Sequence, residues 1–171
     1  MTPAERARGV FLTGLKNAHA MEKQALSIMQ PQLNRLKHYP DLSRRLEAHM
    51  SETEAQIDRL DRILDLLGES SSTLKDSFLS AFGSMAALGN VTAGDEVLKN
   101  TFANLAFENY EIAAYTSLLT AARSAGQEGA IALLEQSLDE ERQMAEWVAE
   151  HIPPVTETFI SLQGSGVTAK I

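Results

Sequence analysis

Apolar residues recur at alternating steps of three and four along four long stretches of the chain, the spacing of helices buried along one side. The first stripe reads Leu12, Leu15, His19, Glu22, Leu26, Met29, Leu33, Leu36. The second reads Leu42, Leu46, His49, Thr53, Gln56, Leu60, Ile63, Leu67. The third is Val97, Thr101, Leu105, Glu108, Ile112, Tyr115, Leu119, and the fourth Ile131, Leu134, Leu138, Glu141, Ala145, Val148, Ile152. The breakers between them predict helices over residues 3–37, 41–67, 94–125 and 127–151. Pro3 suits a first turn, Pro31 predicts a kink, and Asp41 after Pro40 opens the second helix. Gly68 and Gly126 close the second and third helices, and Pro153-Pro154 is expected to stop the fourth. The first two and the last two helices are joined by short connections, so each pair should form an antiparallel hairpin. The connection between the hairpins is long, roughly 25 residues, with an extra helix expected over about residues 73–88. The reading is an all-α four-helix bundle. Two hairpins joined by one long crossover is the connection pattern of ferritin-like folds.

Each stripe is apolar at both ends and polar at its middle. Glu22 lies near the midpoint of the first helix, His49 to Gln56 straddle that of the second, Glu108 and Glu111 bracket that of the third, and Glu141 marks that of the fourth. Midpoints meet at one level in an antiparallel bundle, so these groups should form one buried polar layer. An unpaired buried carboxylate costs several kcal/mol. No Lys or Arg occurs on the four stripes. Protonation would neutralise the layer at the cost of strongly raised pKa values. Two divalent cations would neutralise about four carboxylates and satisfy their oxygens, and that is the more economical account. His49 and Glu52, and likewise Glu108 and Glu111, are three residues apart and share a helix face. Carboxylates from four helices with a helix-borne histidine match the design of di-iron and di-manganese bundle sites.

Composition narrows the chemistry. The 171 residues suffice for one domain, expected over 1–163, with a mobile tail at 164–171 that holds Gly164, Ser165 and Gly166. There are no cysteines, so a metal must be held by carboxylate and imidazole, a set that suits iron or manganese, with zinc or magnesium as substitutes. The net charge of −8 argues against nucleic acid as the main partner. No apolar run is long enough to span a bilayer, and the opening MTPAERARGVF has no cleavable-signal pattern. No membrane association and a cytoplasmic location are therefore the default expectations.

The segments HAMEKQA (19–25), HMSETEAQ (49–56), FENYEIAAYTSLLTAA (107–122) and DEERQMAEW (139–147), with KDSFLSAFGSMAALG and IPPVTETF, resemble the YciE/YciF-type ferritin-like proteins of bacteria, the YciE branch more closely. The similarity covers nearly the whole chain. It implies a ferritin-like bundle, a stress-associated role, a homodimer and a rubrerythrin-like dinuclear metal site. By position it implies Glu22, His49, Glu52, Glu108, Glu111 and Glu141 as ligands, with Glu140 adjacent. The chain departs from the commoner pattern in two places. Ferritin-like sites more often read Glu-x-x-His on the second helix, and often again on the fourth. Here the second reads His-x-x-Glu, and Met144 stands three residues after Glu141. Two functions follow as expectations. One is an oxidoreductase acting through iron or manganese on dioxygen or peroxide. The other is a non-enzymatic metal-binding or structural stress protein.

Overall fold

The structure is a computed structural model and describes residues 1–69 and 94–169. Four helices account for most of these residues: α1 (Pro3–Leu33), α2 (Pro40–Leu66), α3 (Glu96–Ser124) and α4 (Glu128–Gly164). No strand occurs among them. The extra helix expected over 73–88 falls outside the described residues. α1 lies against α2 and α3, and α4 against α3 and α2, so the four close into an all-α bundle.

Local signals explain where the helices begin. Thr2 caps α1: its hydroxyl accepts from the Glu5 amide at 3.2 Å, and the Glu5 carboxylate accepts from the Thr2 amide at 2.6 Å. Pro3 and Pro40 each occupy a first turn, where the missing N–H has no carbonyl to serve. Gly68 and Gly126 adopt positive φ (70° and 66°) just beyond α2 and α3, a conformation glycine reaches without steric cost.

Two boundaries differ from the expectation. α1 passes through Pro31 but ends at Leu33 rather than 37, because the proline removes one donor and crowds the preceding turn. α4 does not stop before Pro153-Pro154; it continues to Gly164. The two missing N–H groups would have served the carbonyls of Ala149 and Glu150, and those residues, like both prolines, are exposed. The opened carbonyls therefore face water, while Val148, Val155 and Phe159 carry the buried stripe across the interruption. Beyond α4, where the sequence predicts a mobile tail, the Tyr39 hydroxyl donates to the Ala169 carbonyl at 2.8 Å, and Ala169 is buried.

The core is continuous, with Phe11, Leu15, Leu46, Leu60, Leu134 and Val148 among its fully enclosed side chains. Two polar contacts hold α1 and the loop that follows it against α3. Gln32 and Asn104 exchange reciprocal amide hydrogen bonds at 3.1 and 3.0 Å. Arg35 engages both oxygens of buried Glu96. No described helix is long and apolar enough to cross a membrane.

Candidate metal centre

The mid-helix polar residues meet where the bundle buries them most deeply. Glu22 on α1, His49 on α2, Glu108 and Glu111 on α3, and Glu141 on α4 are all at most 3% exposed. Glu22, His49, Glu108 and Glu141 each interrupt an apolar stripe, so the packing that buries their neighbours buries them as well, and Glu111, three residues after Glu108, shares its face. His49, Glu108, Glu111 and Glu141 present one donor atom each, and these four atoms lie within 4.8 Å of one another. Nε2 of His49 is 3.2 Å from Glu108 and 3.6 Å from Glu141.

Satisfaction of this cluster is incomplete. Among the described residues, five buried carboxylate oxygens lack a hydrogen-bond donor: Glu22 Oε2, Glu108 Oε2, both oxygens of Glu111, and Glu141 Oε2. Glu108 Oε2 is close to His49 but off the line of a hydrogen bond. Burial pushes the Glu22 carboxyl up to about 8, partly opposed by the Tyr115 hydroxyl, which donates to Glu22 Oε1 at 2.5 Å. Burial likewise holds Glu111 and Glu141 well above the ordinary carboxylate range, reinforced by the neighbouring acidic charges. Burial alone would lower His49, but Glu108, Glu52 and Glu141 outweigh it and raise the imidazole to about 10. One buried imidazolium thus faces four buried carboxyls. Buried carboxylate and imidazole donors with free lone pairs form a set that fits iron, manganese or zinc.

The other expected residues divide. Glu22 lies beside the four-residue cluster, tied to Tyr115 and electrostatically coupled to Glu108. Glu52, also expected as a ligand, is a third exposed and lies outside the group of four that closes within 4.8 Å. Its carboxylate accepts from His49 Nδ1 at 2.9 Å and from Arg45 at 3.0 Å, which aims the opposite ring nitrogen, Nε2, inward. Burial would raise its pKa, but these two partners lower it below the usual value. His19 pairs with Asp61 at 3.1 Å rather than with Glu22. Glu140 pairs with Arg59, whose Nε also donates to Ser137 at 3.1 Å. The Gln56 amide nitrogen donates to both Glu140 and Glu141. Arg59 was not signalled by the stripe pattern. It sits beside the seam, and only the carboxylate supplied by α4 explains its burial.

Comparisons with known proteins agree with this architecture. The family model described as "Domain of unknown function (DUF892)" matches residues 6–161. The protein YciF of Escherichia coli K12 is 32% identical over 144 residues, which are 78% of this chain and 82% of YciF. A crystal structure of a protein from Xanthomonas campestris pv. campestris superposes with a TM-score of 0.76 at 34% identity, covering 95% of this chain and 99% of that one. The crystal structure of the E. coli stress protein YciF superposes with a TM-score of 0.73 at 26% identity, covering 85% and 94%. With its four-helix architecture and near full-length match, the chain belongs to the DUF892 family of YciF-like ferritin-like proteins.

Proposed function

We propose that this protein binds iron or manganese in the carboxylate layer at the centre of its bundle, as a dinuclear centre that reacts with dioxygen or peroxide under stress. The reading is carried by the five donor-less carboxylate oxygens buried around a single imidazole. A buried, unsatisfied carboxylate is costly, and divalent cations would relieve several at once. His49, Glu108, Glu111 and Glu141 would hold metal directly, and Glu22 would add a carboxylate from α1. Bound iron or manganese would supply the one-electron chemistry with the oxidant. The chain's own residues orient and enclose. Tyr115 fixes Glu22, Gln56 fixes Glu141, and Glu52 with Arg45 fixes the His49 ring. The apolar layers above and below exclude bulk water and so strengthen each interaction within.

A second reading is a non-enzymatic stress protein in which metal serves stability alone. It is favoured by the supply of donors from all four helices, so that one cluster of ions ties the bundle together, and by the scarcity of imidazole. The stress role rests on similarity to YciF, a stress protein of E. coli. A homodimer fits either reading. From Asn100 to Ala122 the only charged residues of α3 are Glu108 and Glu111, both buried, which leaves its outer face uncharged.

Elemental analysis of protein purified without added metal tests the proposal. Iron or manganese should co-purify, and iron-loaded protein should consume oxygen or peroxide faster than the same iron in buffer. Metal without such turnover, combined with a melting temperature that falls on chelation, would select the stabilising role.

A further inference from the structure

Di-metal bundle sites take a Glu from each of two helices and a Glu-x-x-His pair from each of the other two. Two imidazoles then serve two ions. In this chain the supply is lopsided. On α2 the inward positions one and two turns beyond His49 are Thr53 and Gln56, both fully buried. The Thr53 hydroxyl donates to the His49 carbonyl at 3.0 Å, so it serves its own helix. The Gln56 amide nitrogen donates to Glu140 and Glu141, and the Arg59–Glu140 pair holds it there, while its buried carbonyl oxygen, a far weaker ligand than imidazole, meets no donor. On α4 the residue three beyond Glu141 is Met144, fully buried among apolar neighbours. The remaining donors are unevenly placed. His49, Glu108, Glu111 and Glu141 converge within 4.8 Å, close to the span of roughly 4 Å between donors that share one ion at about 2.0–2.2 Å. Glu22 lies beside these four but outside the group that closes within 4.8 Å, and one of its oxygens is taken by Tyr115.

We infer that the two ion positions are unequal. One ion binds tightly at His49, Glu108, Glu111 and Glu141. A second, beside Glu22, has only carboxylate donors and binds much more weakly. This rests on the metal reading above and sharpens it, because the resting protein would be mononuclear at low metal supply. The second ion, and with it any chemistry that needs a pair, would then respond to metal concentration.

Titration of the metal-free protein with Mn(II), followed by electron paramagnetic resonance of free and bound ion, tests the inference. One equivalent should bind first, at least tenfold more tightly than a second, with an uncoupled mononuclear spectrum at one equivalent. Two ions of equal affinity, with an exchange-coupled spectrum already at one equivalent, would overturn it. No Mn(II) binding at all would instead overturn the metal reading itself. Met144→His completes the Glu-x-x-His pair on α4. If folded by circular dichroism, it should raise the second affinity tenfold or more and leave the first within about threefold. An unchanged second affinity in a folded variant would show that missing imidazole is not the cause. Should the variant not fold, the titration of the wild-type chain decides alone.

Discussion

Glu111 is fully enclosed, and neither of its oxygens meets a donor. Substituting Gln keeps the shape and removes a carboxyl that burial forces to take up a proton on folding. The metal-free Glu111→Gln variant should therefore unfold at higher denaturant than wild type, by about 1–3 kcal/mol, while its gain from added metal shrinks. Equal or lower stability in the presence of chelator would contradict this. The pH response has a defined sign. Glu22 keeps its proton in the fold up to about 8 rather than 4.5, and His49 up to about 10 rather than 6.5. Between those values the folded state binds more protons than the unfolded one, so stability falls as pH rises. Metal-free protein should lose melting temperature from about pH 5 to 10, and the increment from added metal should grow over the same interval. A flat profile in chelator would refute the assignment. Most of the cluster is legible in the sequence because Glu22, His49, Glu108 and Glu141 each break an apolar stripe. Arg59 and the outward role of Glu52 are not, since each depends on a partner: Glu140 across the helices for one, Arg45 two turns away for the other.

Helix α4 shows where local rules yield to packing. A proline inside a helix costs about 3 kcal/mol, and two in succession read as a stop. Here both prolines and the carbonyls they leave open lie on the wet side, while Val155 and Phe159 keep the inward face apolar. The stripe from Val148 through Ile152 to Val155 and Phe159 is visible in the sequence. It conflicts with the breaker signal, and only tertiary burial decides between them. Phe159→Ala should consequently cost about 3–5 kcal/mol in chemical denaturation, as for a core aromatic. A loss below about 1 kcal/mol would mean that this part of α4 does not pack. At Pro31 the opposite occurs, and the helix ends two residues later, before the loop that leads to Pro40.

For the whole molecule, the uncharged outer face of α3 bears on assembly. Phe102 is about half exposed there, with Ala106 and Ala113 exposed on the same stretch. Light scattering should report twice the mass of one chain, and Phe102→Lys should shift it towards a single chain; a wild-type monomer would remove the dimer from the proposal. The bundle and its two hairpins follow from periodicity and breakers, and the near full-length similarity to YciF agrees with them. The level at which the helices meet has a further determinant, the reciprocal pair of Gln32 and Asn104. Each amide fills the other's donor and acceptor, so a slip of α1 along α3 by one turn would orphan four groups at once. Glu22 lies ten residues before Gln32, about 15 Å along the helix, and Tyr115 eleven residues after Asn104. The amide pair therefore acts as a distant vernier. It sets the alignment of Glu22 with Tyr115 without touching either, so the shape of the buried carboxylate layer can be retuned from two amides about 15 Å away.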